Sequence, residues 1–383
     1  MSRLLKVAER ASVPPFHVMD VLSAANDRQR AKGDVVSLAA GQPSAAAPRP
    51  VLARAADALA GPLGYTEQLG IPPLRAAVAD HYERRHALDV EPHDVVVTTG
   101  SSGGFLLAFL AAFDAGDRVA LARPGYPAYR NILTALGCEV VELPCGPDTR
   151  FQPTVEMLEA AGPLDGLVVA SPANPTGTML APGELAAVAG WCAEHGVQLV
   201  SDEIYHGIQY GTDTPASAWQ FSREAVVVNS FSKYFAMTGW RLGWLLVPQR
   251  LHRAVDCLTG NFTICAPALA QHAATAAFDA YAELDAHVAR YRANRDELVA
   301  GLHALGITKL APADGAFYVY ADVAHLTGDS MAFCQRLLAD TGLAIVPGID
   351  FDPVEGHHFV RLSFAGPAAD ITEALHRLGN WLS

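Results

Sequence analysis

Short runs of apolar and β-branched residues alternate with Ala- and Leu-rich stretches between about residues 95 and 250. Such runs are typical of strands buried on both faces, as in a parallel sheet that helices cover. Helical patterns at 104–113 and 182–195 lie between them, which predicts a repeated strand–helix–strand order. The predicted strands are 95–98, 118–122, 139–143, 166–170, 198–201, 225–229 and 242–247.

The order changes at the end of this region. Only residues 230–241 separate the last two predicted strands, which is short for a parallel crossover, so strand 242–247 is predicted to be antiparallel. After Pro248, a long helical sequence at 267–305 precedes three strand-like segments, at 316–321, 343–346 and 359–364.

These patterns predict an α/β fold, a mostly parallel seven-stranded sheet flanked by helices, with a smaller α+β domain. The predicted organisation has three parts. An N-terminal arm with part of the small domain covers 1–34, a large domain covers 35–285, and a small C-terminal domain covers 286–383.

Composition narrows the classes of partner. The chain has 383 residues, a formal net charge of −13 and no basic block, which argues against nucleic acid and anionic membranes and favours a small-molecule substrate. Its cysteines are scattered without a CxxC pair and no HExxH occurs, so neither a metal site nor a disulfide framework is predicted. The N-terminus has no apolar segment typical of a signal peptide or membrane span, so we expect a cytoplasmic protein.

In an open α/β sheet, a ligand binds at the carboxyl ends of the strands. In this chain, polar residues follow several of the predicted strands at that end. The first strand runs into TTGSSGG, 98–104. Small residues there allow backbone N–H groups, including that of Gly103, and the hydroxyls of Ser101 and Ser102 to approach a phosphate. A tight turn without a ligand has the same pattern, and the spacing fits neither the Rossmann fingerprint nor a P-loop.

Two further strand ends carry polar groups. In SPANPTG, 171–177, prolines restrict the backbone on either side of Asn174. In QLVSDEIY, 198–205, Asp202 and Tyr205 follow a buried strand, where a carboxylate costs free energy unless a cation or several donors meet it. An Asn-Pro turn and a helix cap are the purely structural alternatives.

One lysine differs from the other three. The chain has four, Lys6, Lys32, Lys233 and Lys309, and only Lys233 follows a predicted buried strand, in NSFSKYFAMTGWRLGW at 229–244. A lysine amine can lose its proton and attack a carbonyl, which arginine cannot do. A nucleophilic amine, a carboxylate, a phosphate cradle and Asn and Tyr donors are the groups that pyridoxal 5′-phosphate (PLP) requires.

Several motifs together carry a resemblance to a known family. They are GQPS at 41–44, GYTEQLG at 64–70, TTGSSGG, PGYPAY at 124–129, SPANPTG, SDEIY, SFSKYFAMTGWRLGW and FVRLSFA at 359–365. In this order, over nearly the whole chain, they resemble fold-type I, class I and II aminotransferases of the aspartate aminotransferase superfamily. The resemblance implies PLP as cofactor and a ping-pong exchange between an L-amino acid and a 2-oxo acid.

The resemblance also implies roles for individual residues. Lys233 forms the Schiff base with PLP, Asp202 pairs with the ring nitrogen, and Asn174 and Tyr205 bond the ring oxygen. The implied phosphate ligands are Ser101, Ser102, Ser230 and Arg241.

The remaining implied roles concern the ring face, the substrate and a second subunit. Tyr126 stacks on the ring, and Arg361 binds the substrate α-carboxylate with help from Asn174 and the backbone near Gly41. Tyr65 reaches the phosphate of the neighbouring subunit, which implies a homodimer with shared active sites.

One departure bears on the substrate. Many aspartate-specific bacterial members carry a lysine where this chain has Ser102, and a hydroxyl cannot replace that charge. The segment 13–16, ending in Phe16, lies where relatives have a lid, and it is apolar. We therefore expect small or aliphatic donors, alanine or valine, with pyruvate among the acceptors. Aspartate:2-oxoglutarate transamination and a PLP-dependent lyase are the alternatives.

Overall fold

The structure is a computed structural model that describes residues 5–211 and 215–383. The helices in these ranges are α1 (His17–Lys32), α2 (Arg49–Leu59), α3 (Pro72–His86), α4 (Gly100–Ala112), α5 (Pro127–Leu136), α6 (Val155–Ala160), α7 (Pro182–His195), α8 (His252–Phe262), α9 (Ala268–Ala274), α10 (Tyr281–Ala304), α11 (Ser330–Thr341) and α12 (Ala368–Leu382).

The strands in the same ranges are short and mostly buried. They are β1 (Val36–Ser37), β2 (Val95–Thr98), β3 (Arg118–Arg123), β4 (Glu139–Pro144), β5 (Gly166–Ala170), β6 (Gln198–Asp202), β7 (Val226–Ser230), β8 (Gly243–Leu246), β9 (Tyr318–Asp322), β10 (Leu343–Ala344), β11 (Val346–Pro347) and β12 (Phe359–Ser363).

A seven-stranded sheet forms the centre of the larger region, in the order β2-β8-β7-β6-β5-β3-β4. Strand β8 is antiparallel to both of its neighbours, and the other pairings in the sheet are parallel. The predicted fold class and the antiparallel strand at 242–247 are therefore confirmed. Because β2, β5, β6 and β7 run in one direction, their carboxyl ends meet at the same edge of the sheet.

The helix predicted at 104–113 begins earlier, at Gly100, so that start was wrong. The TTGSSGG segment is the end of β2 and the first turn of α4. Glycine and serine are tolerated there because first-turn N–H groups have no partner within the helix. Gly100 also has a φ of 72°, a conformation that favours glycine.

The helical stretch predicted at 267–305 is likewise interrupted. Helices α9 and α10 flank a 3₁₀ turn, Ala277–Asp279, that belongs to neither. The turn places Phe278 in a buried aromatic cluster, with its ring 5.7 Å from Phe231 and 5.2 Å from Phe235. Burial of a large aromatic side chain thus outweighs the continuous helical pattern.

The smaller region is built on two further sheets. One is antiparallel, in the order β11-β12-β9, and the other pairs β1 with β10 in parallel. Helix α12 packs against α10 and α11 beside them. The domain boundaries at 34/35 and 285/286 stay predictions, since α10 runs without a break from Tyr281 to Ala304.

Within 5–211 and 215–383, no helix combines the length and the apolar character needed to cross a bilayer.

Candidate active site

Lys233 lies just beyond the end of β7. Its Nζ donates a hydrogen bond to the Gly41 carbonyl at 2.6 Å and lies 5.7 Å from the ring centroid of Tyr205. Burial, reinforced by Arg361 and Arg241, lowers the pKa of the amine to about 8, although Asp202 acts in the opposite direction. The side chain is therefore an amine that can exist in its neutral, nucleophilic form near physiological pH.

Asp202 ends β6 and is 4% exposed. The Tyr129 hydroxyl donates to Oδ2, and the Ile204 N–H donates to Oδ1 at 3.0 Å. Burial raises the pKa of this carboxyl to about 7, while the two hydrogen bonds and Lys233 lower it. A buried carboxyl in this state is stabilised as an anion when a cationic group comes beside it.

Tyr129 is a site residue that the sequence reasoning missed. It lies three residues after Tyr126 in PGYPAY, and the two rings meet edge to face at 5.3 Å. The motif was recognised, but a tyrosine on the buried side of a helix is usually a core residue. Only the hydrogen bond to Asp202 distinguishes Tyr129 from such a residue.

Donor groups gather between the first turn of α4 and the end of β7. A Cβ on Gly100 would lie 2.6 Å from Arg241 Nη2, so the backbone and the guanidinium are in close contact. Ser230 Oγ lies 2.9 Å from Ser232 Oγ at the same edge. Free N–H groups, hydroxyls and a guanidinium form a corner suited to a phosphate.

The predicted phosphate ligands differ in exposure. Ser101 is buried in this corner, whereas Ser102, the next residue, is exposed. Gly103 packs close to the side chain of Thr99.

Arg361 projects from β12 and is 2% exposed. Its Nη1 donates to Asn174 Oδ1 at 3.0 Å and its Nη2 donates to the Ala39 carbonyl at 2.9 Å. The buried Nε has no hydrogen-bond partner among the described residues. Nη1 and Nη2 each carry a second N–H, so the guanidinium keeps donors for an incoming carboxylate.

Tyr318 is a second residue that the sequence reasoning missed. It comes from β9 in the smaller region, and its hydroxyl lies 2.7 Å from the hydroxyl of Tyr205. The Arg361 guanidinium lies over its ring, 4.4 Å from the centroid. Its sequence, a buried aromatic within a strand pattern, carries no signal for such a position.

The N-terminal segment comes close to the same place. Phe16 meets the ring of Tyr126 edge to face at 5.9 Å. The first N–H groups of α1, from His17 and Val18, donate to the Asp350 carboxylate at 3.0 and 2.7 Å. These bonds hold the start of α1, and Phe16 with it, beside the site.

Tyr65 is not brought together with the other predicted residues. It is 83% exposed, and no hydrogen bond or aromatic contact joins it to Lys233, Asp202 or Arg361. The described ranges also contain no grouping of three or more His, Cys, Asp or Glu side chains that could hold a metal ion. The chemistry at hand is that of one amine, one carboxyl and several donors.

The chain is similar to known aminotransferases over nearly its whole length. The model of the family "Aminotransferase class I and II" matches residues 33–378. The valine–pyruvate aminotransferase of Mycobacterium tuberculosis (strain ATCC 25618 / H37Rv) is 66% identical over 98% of each chain. A crystal structure of an aminotransferase from Mycobacterium tuberculosis, also 66% identical, gives a TM-score of 0.97 over 99% of each chain. A structure of aspartate aminotransferase from Thermus thermophilus with maleate, 34% identical, gives 0.93 over 98% of this chain and 100% of that one.

Proposed function

Because the chain belongs to the aminotransferase class I and II family, we propose that it moves the amino group of a small aliphatic amino acid to a 2-oxo acid, with PLP as cofactor. Valine and alanine are the proposed donors and pyruvate the proposed acceptor. The observation that carries the reaction type is that Lys233, Asp202 and Arg361 face one site, where Arg361 lowers and Asp202 raises the pKa of the Lys233 amine. The relative from Mycobacterium tuberculosis is named for valine and pyruvate.

The side chains fit PLP group by group. Ser101, Ser230 and Arg241 can hold its phosphate. Gly100 keeps this corner open, because a Cβ at position 100 would collide with the Arg241 guanidinium. The buried Asp202 carboxyl suits the ring nitrogen, because burial leaves it in need of a cationic partner. When bound, PLP supplies an electron-accepting ring that stabilises negative charge at the substrate Cα.

Three further residues of the site suit the ring of PLP. Tyr205 and Asn174 offer donors for the ring hydroxyl, and the half-buried ring of Tyr126 offers a stacking surface. Ser102 and the backbone of Gly103 belong to the same phosphate corner in the proposal.

The chain's own residues then divide the chemical work. Arg361 binds the substrate α-carboxylate through its fork of N–H donors and so fixes the position of Cα. Lys233 Nζ, with a pKa of about 8, accepts the Cα proton as general base. The Gly41 carbonyl, its hydrogen-bond acceptor at 2.6 Å, orients that amine. Asp202 holds a proton on the ring nitrogen by remaining a carboxylate beside it.

The charges around the site favour an uncharged substrate side chain. Within the described ranges, two arginines lower the pKa of both Tyr126 and Lys233. They are Arg361 and Arg241. In this proposal one binds the α-carboxylate and the other the phosphate, so neither is left for a distal carboxylate. Phe16, packed on Tyr126, adds apolar surface instead.

We also propose a homodimer with shared active sites. Tyr65 is 83% exposed, and an open apolar groove lined by Leu106 and Phe262, both exposed, lies beside the first turn of α4. Exposed apolar residues of this size at the rim of a site are typical of a surface that another subunit covers. Tyr65 would then reach the phosphate of the neighbouring subunit.

A donor-by-acceptor matrix tests the substrate proposal. Purified, PLP-loaded enzyme is given valine with pyruvate, alanine with 2-oxoisovalerate, and aspartate with 2-oxoglutarate, and the product amino acids are quantified. We expect the first two pairs to react fastest. An aspartate rate more than tenfold above both, a threshold of about 1.4 kcal/mol, would contradict the aliphatic preference. Ammonia release from a single amino acid without an oxo acid would contradict transamination itself.

A further inference from the structure

We propose that Tyr318 is a positioning residue, which holds the Tyr205 hydroxyl and the Arg361 guanidinium in place at the same time. The inference rests on the proposed function, because it assigns Tyr205 to the cofactor ring oxygen and Arg361 to the substrate carboxylate. It adds a residue of the smaller region that links these two binding groups.

The first link is a hydroxyl pair. Tyr318 is 1% exposed, and its oxygen lies 2.7 Å from that of Tyr205, with the two rings edge to face at 5.7 Å. Tyr205 follows β6 of the large sheet, whereas Tyr318 begins β9 of the smaller one. The hydrogen bond therefore spans the two regions of the fold.

The second link is the contact with Arg361. In the antiparallel pair of β9 and β12, Ser363 lies opposite Tyr318 and Arg361 lies opposite Tyr320. Tyr318 and Arg361 are thus diagonal neighbours on one face of the sheet, a spacing that long side chains bridge. The guanidinium lies 4.4 Å from the Tyr318 ring centroid, as a cation–π contact requires.

The third contact explains the glycine at position 41. A Cβ there would collide with the Tyr318 hydroxyl. The Gly41 carbonyl in turn accepts the hydrogen bond from Lys233 Nζ. Tyr318 therefore touches the peptide that orients the amine as well as the two binding groups.

The direction of the hydroxyl pair gives Tyr318 an electrostatic effect. A hydroxyl has one hydrogen, so if Tyr205 donates to the cofactor ring oxygen, it must accept its bond from Tyr318. A donor that also accepts is polarised and donates more strongly. The Tyr318 hydroxyl thus favours the anionic form of the ring oxygen through Tyr205.

The test is Tyr318→Phe, which removes the hydroxyl and keeps the ring beneath Arg361. In PLP-loaded enzyme, we expect the pH midpoint of the cofactor's visible absorption to rise by about 0.5–1 pH unit. We expect kcat to fall about three- to tenfold, as for the loss of one hydrogen bond, with the KM for the amino acid within about twofold. Tyr318→Leu, which also removes the ring, should raise that KM by about a further tenfold.

Tyr320→Phe is the matched control. Tyr320 lies on the same strand and is equally buried, but its hydroxyl has no hydrogen-bond partner among the described residues. Its loss should leave the absorption midpoint unchanged. A shift as large as that of Tyr318→Phe would show a general effect of the strand and overturn the proposal.

The Tyr205→Phe background decides whether Tyr318 acts through Tyr205. We expect Tyr318→Phe to move the midpoint in the wild-type background and not in the Tyr205→Phe background. Equal shifts in both, or no shift in either, would overturn the proposal. Because the absorption titration needs no substrate, it is independent of the donor-by-acceptor matrix, whose failure would instead reject the proposed function.

Discussion

Burial acts on the two central ionisable residues in opposite directions. It raises the pKa of the Asp202 carboxyl to about 7 and lowers that of the Lys233 amine to about 8. In each case the low-dielectric surroundings disfavour the charged form. The Lys233 amine can therefore change protonation near neutral pH, which is the property that a general base at Cα requires. The buried Asp202 carboxyl, by contrast, needs a cationic partner if it is to remain a carboxylate.

At the residue scale, Arg361→Lys tests the carboxylate site. Lysine keeps the charge but loses the planar fork and the stacking on Tyr318, so the KM for the amino donor should rise by about 100-fold. Steady-state kinetics at several donor concentrations measure it. Arg292→Lys, at an exposed position of α10, is the control and should leave KM unchanged. A KM within threefold of wild type, about 0.65 kcal/mol, would contradict the assignment of Arg361.

Residue identity was predictable where the chemistry is distinctive. Lys233 and Asp202 stand out because a buried strand end is an unusual place for a charge. Arg361 lies in the middle of β12, and its role was implied only by the resemblance through the motif FVRLSFA. Tyr129 and Tyr318 do not stand out, since their rings fill the core as other aromatic residues do. Only the fold shows that their hydroxyls meet Asp202 and Tyr205.

At the element scale, the phosphate corner depends on the approach of β8 to the first turn of α4. A Cβ on Gly243 would lie 2.9 Å from Ser101 N and 2.8 Å from the Asn229 carbonyl oxygen. Both neighbours are backbone atoms, which cannot move aside as a flexible side chain can. The glycine therefore allows the turn to sit against the strand.

Gly243→Ala should accordingly weaken the proposed cofactor site. We expect the apo-protein's Kd for PLP to rise about tenfold or more, with a loss of about 1–3 kcal/mol in unfolding free energy, as for overpacking in a core. Fluorescence titration with PLP and denaturant unfolding measure the two effects. Gly239→Ala, where a Cβ meets open space, is the control. Equal behaviour of the two variants would show that the close approach is unimportant.

Element types were predictable from periodicity, and element ends were less so. The ends of the seven strands of the large sheet lie within one residue of their predicted positions. The predicted start of α4 at 104 and the predicted unbroken helical stretch at 267–305 were wrong, because tertiary packing decides both. Sequence periodicity predicted the bounds of an element best where the whole segment is buried.

At the scale of the whole molecule, the proposed dimer implies that each active site needs two chains. Co-expressed, differently tagged Lys233→Ala and Tyr65→Ala chains should form hybrids in which one site has both native residues. Random pairing makes half of the dimers hybrid, so about 25% of sites are native. We expect activity near that fraction, well above either variant alone.

The control uses the same two variants as separately purified homodimers. Mixing the two purified homodimers without subunit exchange should give only the average of their separate activities. If co-expressed hybrids show no more than that average, Tyr65 does not act across a subunit boundary. No single-chain pattern predicts such a contact by itself, because the contacting surface belongs to another molecule.

The most direct test of the central claim is to identify the lysine that binds the cofactor. Borohydride reduction of PLP-loaded enzyme, followed by proteolysis and mass spectrometry, locates the covalently attached pyridoxyl group. The chain offers four lysines, Lys6, Lys32, Lys233 and Lys309, so the result is unambiguous. We predict that the label is on Lys233. A label on one of the other three, or none, would contradict the account.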